Sequence, residues 1–222
     1  MKHLSVLIST SLLFVASQAA SAASADLLVN GSIAPGAACG VSIGSSALDL
    51  GTIARGMLNE DPSKPTNLEE QRVKTLVTCL NATRFAFVVT EARGSDFSQP
   101  LVFNMYAADG EATPGKLFLL FDTQSTKIDG KQGYATGSSQ GTSDLEHATW
   151  GPATSPRENL PITNGRYAVG FVRVAESTDA PDNIKDLSVD LLIRPLIKPT
   201  NELDLSDTVG FSSDLGLEIR YF

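Results

Sequence analysis

Along this chain, apolar and polar side chains change places at every second residue far more often than at every third or fourth. Leu27, Val29 and Ile33 share one side and Asn30 and Ser32 the other. Val73, Thr75, Val77 and Cys79 alternate with Lys74 and Thr78, with Leu76 out of phase. Leu101, Phe103 and Met105 alternate across Asn104, and Tyr167, Val169 and Phe171 alternate until Val172 and Val174 shift the phase, as a bulge would. Leu187, Val189, Leu191 and Ile193 alternate across Ser188, Asp190 and Arg194. The last run is the cleanest: Leu215, Leu217, Ile219 and Tyr221 against Gly216, Glu218, Arg220 and Phe222. Successive side chains of a strand point to opposite faces, so these runs predict strands with one buried and one wet face. The runs 85–89 and 117–121 are almost continuously apolar and predict central strands buried on both sides.

Turn chemistry separates the runs. Asn30-Gly31, Asp109-Gly110, Asp129-Gly130 and Asn164-Gly165 are dipeptides suited to tight turns. Pro195 falls inside an apolar run and predicts either the end of that strand or an edge position, because proline cannot donate to a ladder. Helical signal is poor; Asn67-Leu68-Glu69-Glu70 predicts at most one short turn. Many short strands with regular turns predict an all-β chain folded as a β-sandwich. The interval 123–166 is crowded with Gly, Ser, Thr, Asp and Pro, and reads as a long polar excursion from that sandwich.

The first residues read as a targeting segment. Met1-Lys2-His3 is cationic, an apolar run from Leu4 to Val15 follows, and small residues close it. Ala20-x-Ala22 fits a signal-peptidase site and so does Ala23-x-Ala25, so residues 1–22 are expected to be a signal peptide, cut after Ala22 or Ala25. The apolar run is shorter than the roughly 20 residues a bilayer span needs, and no other stretch is apolar enough. The expectation is one exported domain, 23–222, that does not span a membrane and is found in the periplasm, at the cell surface or secreted.

Composition narrows the function. The chain has 222 residues, 42% hydrophobic and 19% charged, which excludes a disordered tail, a collagen-like fibre and a multi-span membrane protein. A net charge of −8 is the wrong field for a phosphate backbone, so nucleic acid is not an expected partner. Cys39 and Cys79 are the only cysteines, and export means an oxidising compartment, so one disulfide is expected, with two buried free thiols as the alternative.

Site chemistry is sparse. His147 is the one histidine left after signal removal; a Ser-His-Asp triad would have to use it, with Ser143 or Asp144 nearby in sequence. Asp129-Gly130-Lys131 lacks the acidic spacing of a calcium loop. Gly137-Ser138-Ser139-Gln140-Gly141 lacks the lysine and helix of a phosphate cradle. The expectation is no catalytic, cofactor or metal residues and no enzyme. Tyr134 and Trp150 lie in the polar interval and are candidates for stacking on the sugars of a glycan or host surface; the plainer reading of Trp150 is that it anchors the excursion on the sandwich.

An ordered set of features then resembles a known family. Val29-Asn30-Gly31-Ser32-Ile33 runs through Ala34-Pro35-Gly36-Ala37-Ala38 to Cys39, Leu48-Asp49-Leu50-Gly51-Thr52-Ile53 follows, Val73 to Cys79 alternates, and Tyr221 is penultimate. The chain resembles subunits of chaperone–usher fimbriae, and more closely a family of uncharacterised exported bacterial proteins related to them, most strongly over 27–90 and 209–222. The resemblance implies an incomplete immunoglobulin-like sandwich, one strand short, with a bridge between Cys39 and Cys79. It implies an open groove along 214–222, with Leu215, Leu217, Ile219, Tyr221 and Phe222 as its lining and docking end. Its occupants would be a strand lent by a periplasmic chaperone and later one from another pilus subunit.

One departure shapes the expected role. Six residues precede Val29 after a cut at Ala22, and at about 3.3 Å per residue they reach only about 20 Å. With Val29 to Ile33 used in the chain's own first strand, no donor arm remains. The expected function is a fimbrial structural or minor, tip-like subunit, with an adhesive role; the alternative is a complete, monomeric exported domain that binds a ligand such as a carbohydrate and takes no part in assembly.

Overall fold

In a computed structural model, described for residues 39–222 apart from 46, 94–97, 109, 111–112, 139–140, 142 and 207, one strand of 21 residues pairs with four of the others. The strands are β1 (Cys39–Ile43), β2 (Thr66–Asn67), β3 (Gln71–Glu91), β4 (Phe103–Ala107), β5 (Gly115–Ile128) and β6 (Lys131–Gln132), followed by β7 (Tyr134–Gly137), β8 (Leu160–Pro161), β9 (Val169–Val172), β10 (Asn183–Ile197), β11 (Phe211–Ser212) and β12 (Leu215–Tyr221). The signal segment, its cleavage sites and the run 27–33 lie outside the described residues. The chain is all-β: helical turns among the described residues are limited to 3-10 turns at Arg55–Met57 and Thr200–Glu202. The short turn expected at 67–70 is not formed; Thr66 and Asn67 instead pair with β10.

The antiparallel ladder runs β11-β4-β5-β10-β3-β9-β7, with β1 and β12 both paired to β3. The first half of β3 pairs with β10 and β1, the second half with β12 and, at Phe87, with β9. Between the pairs Ile184–Thr83 and Asp186–Thr78, β3 has four residues, 79–82, against the single Lys185 of β10. Such an excess bends and twists the longer strand.

The ladder folds over at that bend. Phe121 of β5 and Phe171 of β9 stand three ladder steps apart, about 14 Å in a flat sheet. Their ring centroids are 5.5 Å apart, so the two halves face one another as in a sandwich. Phe87 stacks on Phe121 at 5.5 Å and meets Phe171 edge-on at 5.9 Å. This aromatic group sits in a core with Val77, Cys79, Phe85, Val89, Phe103, Met105, Leu119, Ile184 and Val189.

Strand alternation follows the side-chain pattern where one face is wet. Val73, Thr75, Val77 and Cys79 are buried while Arg72, Lys74, Leu76, Thr78 and Leu80 are exposed, which puts Leu76 on the solvent face. The run 85–89 is buried on both faces: Phe85, Phe87 and Val89 in the main core, Ala86 and Val88 in a second cluster. The run 117–121 differs from expectation, since Phe118 and Leu120 are half-buried on the outer side.

Pro195 does not end β10, which continues to Ile197. The bond from Lys198 N–H to the Pro114 carbonyl sets the phase of the β10–β5 pairing, in which Pro195 and Leu117 form a non-hydrogen-bonded pair. The proline nitrogen therefore faces the other way, beyond the start of β3 at Gln71 and towards Leu68, whose N–H donates to the Pro195 carbonyl at 3.0 Å, so only the reciprocal bond of that pair is forgone.

The interval 123–166 is also more structured than its composition suggests. Its first residues complete β5, Asp129 and Gly130 make the two-residue turn to β6 with φ of 50° and 79°, and β8 pairs with β5. Asp129 serves as a hub there: its carboxylate accepts from the N–H groups of Lys185 (3.2 Å) and Asp186 (2.9 Å) and from Arg173 (2.5 Å). Burial works to raise its pKa, but the Asp186 N–H, the Arg173 guanidinium and the Lys185 N–H outweigh it, and the net shift is downward.

Candidate functional site

The sequence points to the last strand, and the structure places that strand at an edge. β12 pairs with β3 from Leu215–Glu91 to Tyr221–Phe85, and among the described residues it pairs with no other strand. The bond from Ala92 N–H to the Asp214 carbonyl, 3.0 Å, fixes the phase of this ladder. Asp214, Gly216, Glu218 and Arg220 therefore bond towards β3. Leu215, Leu217, Ile219 and Tyr221 direct their N–H and C=O groups to the outer edge.

The same residues carry the apolar face. Leu217 stands opposite Val89, Ile219 opposite Phe87 and Tyr221 opposite Phe85, all three partners belonging to the main core. Leu215, Leu217 and Ile219 pack against that core but are only half-buried. Phe222, grouped with them by the resemblance, falls on the opposite face, because adjacent residues of a strand point opposite ways.

β1 continues this edge. It lies against the first half of β3 and runs in the same direction as β12, so the two follow one another along one side of β3. The N–H of Cys39 donates to the Tyr221 hydroxyl at 3.1 Å, which joins the start of one to the end of the other. Val41 and Ile43 stand opposite the buried Val77 and Thr75, yet are 42% and 39% exposed. The result, among the described residues, is a strip of core-facing aliphatic side chains left open along a backbone edge with no partner strand.

Cys39 and Cys79 are bonded, 40 positions apart in sequence. Gly44 N–H donates to the Lys74 carbonyl, so the Cys39–Cys79 pair is a non-hydrogen-bonded one, where facing Cβ atoms come closest. The bridge ties β1 to β3 at the bend.

At the other end of β12, opposite Leu215, stands Glu91, which is buried. Its carboxylate accepts from the Asn104 N–H and from the Tyr106 hydroxyl, the latter at 3.2 Å. Burial, and then the Glu91 charge, raise the Tyr106 pKa, and the Arg93 guanidinium lies 4.6 Å from the centre of its ring. This carboxylate was not singled out in the sequence, where nothing separates it from the other acids; only its position at the head of β12 does.

The candidate ligand aromatics are not brought together. Tyr134 is half-buried in β7 opposite Val172. Trp150 bridges Ser138, four residues or about 13 Å further along. Trp150 is only 6% exposed and stacks on Phe222, centroids 5.6 Å apart and planes inclined by 13°. With Leu145 and Ala168 it covers Ala86 and Val88, so this ring serves as the anchor of the excursion. His147 is an exposed residue whose ring and N–H both bond Asp144, at 3.1 and 3.2 Å; these bonds, the N–H first, hold the Asp144 pKa below its usual value.

Among the described residues, no three His, Cys, Asp or Glu side chains gather as metal ligands, and no helix is long and apolar enough to cross a membrane. No protein-family model, no curated protein and no solved structure matches the chain.

Proposed function

We propose that this is an exported, pilus-type subunit, structural or minor and tip-like, whose sandwich is completed by a strand from another protein. The supporting observation is the outer edge of β12: backbone at Leu215, Leu217, Ile219 and Tyr221 with no partner strand among the described residues, and three aliphatic core residues half-exposed beside it. Exposed edges of this kind invite pairing with another chain. Strand addition supplies main-chain bonds for affinity and side-chain pockets for specificity. The resemblance of 27–90 and 209–222 to fimbrial subunits names the occupants: first a periplasmic chaperone, then a neighbouring subunit, with adhesion as the role of the assembled fibre. A periplasmic stage fits the disulfide, which persists in oxidising compartments.

The test uses the mature chain, 23–222, and a synthetic peptide of about nine residues alternating aliphatic and polar side chains, long enough to run the length of β12. Saturable binding is expected, with a melting temperature that climbs with peptide concentration, as for any ligand of the native state. A chain that ignores the peptide, and whose Leu217 and Ile219 amides are already protected from hydrogen exchange when it is monomeric, removes the proposal.

A further inference from the structure

We infer that the outer edge of β12 also takes a second copy of this chain, β12 pairing antiparallel with β12 of the copy about a two-fold axis at Ile219. This rests on the reading that the edge accepts a strand, and it differs in the occupant.

The backbone phase permits such a pairing. A strand paired with itself by a two-fold axis sets odd-numbered residues opposite odd-numbered ones. The odd-numbered residues of β12 are those whose N–H and C=O groups point outward. β12 contains no proline and no lysine to discourage an incoming strand.

The charges choose the register. Glu218 and Arg220 lie on the same face of β12, where the Arg220 guanidinium bonds the Glu218 carboxylate at 3.0 Å. With the axis at Ile219, Glu218 of each copy stands opposite Arg220 of the other, giving two opposite-charge pairs in a non-hydrogen-bonded row, where side chains are closest. An axis at Glu218 or at Arg220 sets two like charges face to face. An axis at Leu217 sets Asp214 opposite Arg220 but leaves each Glu218 opposite a glycine, Gly216, so the Ile219 axis is the register in which both charged residues of β12 find an opposite charge. On the core-side face the Ile219 axis brings Ile219 against Ile219 of the copy and Leu217 against its Tyr221, covering the side chains that β12 leaves half-exposed. The interface is isologous, so it closes at two copies and does not grow into a filament.

Sedimentation equilibrium of the mature chain, 23–222, with charge-swap variants tests this. The unmodified chain is expected to dimerise. Glu218→Arg or Arg220→Glu alone sets like charges opposite one another twice and should weaken the dimer about tenfold. Glu218→Arg combined with Arg220→Glu restores both pairs and should restore the dimer. Circular dichroism checks that each variant is folded, and Glu218, which is exposed, supplies a variant that leaves the packing intact. The inference is overturned by a chain that stays monomeric or aggregates without a defined stoichiometry, by single variants that associate as tightly as the original, or by a double swap no tighter than the singles. A monomer that still captures the alternating peptide overturns only the self-pairing; a chain that neither dimerises nor captures it overturns the open-edge reading as well.

Discussion

Trp150 lies nearly flat on Phe222: the ring centroids are 5.6 Å apart and the planes differ by 13°. One ring comes from the polar interval and the other follows β12, so the excursion is clasped to the outer face of the strand whose outer edge has no partner among the described residues. The contact sits on the face opposite Leu217 and Ile219, which separates the clasp from the strip that an incoming strand would cover.

Removing the clasp should register as lost stability. Trp150→Ala is expected to cost about 3 kcal/mol, the low end for a buried tryptophan, since its Nε1 meets no acceptor among the described residues. Phe222→Ala should cost less, its ring being half-buried, and a double-mutant cycle should return a coupling near ~1 kcal/mol. Urea denaturation of the four proteins measures both, and additive losses would show that the stack contributes nothing beyond burial.

The disulfide should matter more than any single side chain. In the chain-entropy model a loop of this size is worth about 4 kcal/mol. Cys39→Ser with Cys79→Ser should therefore shift the denaturation midpoint strongly downward, and a reductant should do the same to the unmodified chain but leave the double variant unchanged. The loss should appear first at β1, whose other ties are its ladder with β3 and the Cys39–Tyr221 bond.

Asp129 should make stability fall in acid. Its folded pKa lies below the ordinary carboxylate value, so it contributes stability above about pH 4 that disappears as the pH drops through the folded pKa. Asp129→Asn tolerates the left-handed backbone and keeps an acceptor, but loses the charge that Arg173 meets. The variant should be less stable than the original at pH 7 and should converge with it in acid, once the Asp129 carboxylate of the folded chain is protonated. Parallel pH–stability curves for the two proteins would contradict this.

Gly115 should tolerate no side chain. A Cβ there would stand 2.6 Å from the Leu196 carbonyl oxygen, which is backbone, and 2.3 Å from Met105 Cε. The methionine can move, but the ladder between β5 and β10 cannot without breaking register. Gly115→Ala is expected to destabilise by about 2 kcal/mol, in the range of overpacked cores, with thermal melting as the readout.

Much of the fold was legible because a period of two translates directly into faces. Val73 to Cys79 became a strand with the expected side buried, Leu187 to Ile193 did so except that Leu191 is half-buried and Leu192 buried, Leu215 to Tyr221 became a strand whose apolar side faces the core but stays half-exposed, and Asp129-Gly130 became the two-residue turn that its residues favour. Pro195 was misread because sequence shows that a donor is missing but not which way it would have pointed. The half-exposed Phe118 and Leu120 were misread because hydrophobicity does not say whether a second layer covers them. Glu91 carried no signal, since its role comes from facing Leu215, Asn104 and Tyr106, which are remote in sequence.

Local chemistry alone thus determined that the chain is all-β, where most strands run, which residues share a face and that the two cysteines are available to each other. Tertiary structure decided what local chemistry cannot encode: that β3 bends at 79–82 and brings Phe121 onto Phe171, that β1 and β12 share one side of β3, and that β12 keeps an outer edge with no partner among the described residues. The physical reason is that alternation is a property of each strand by itself, whereas pairing is set by side chains meeting across long stretches of sequence.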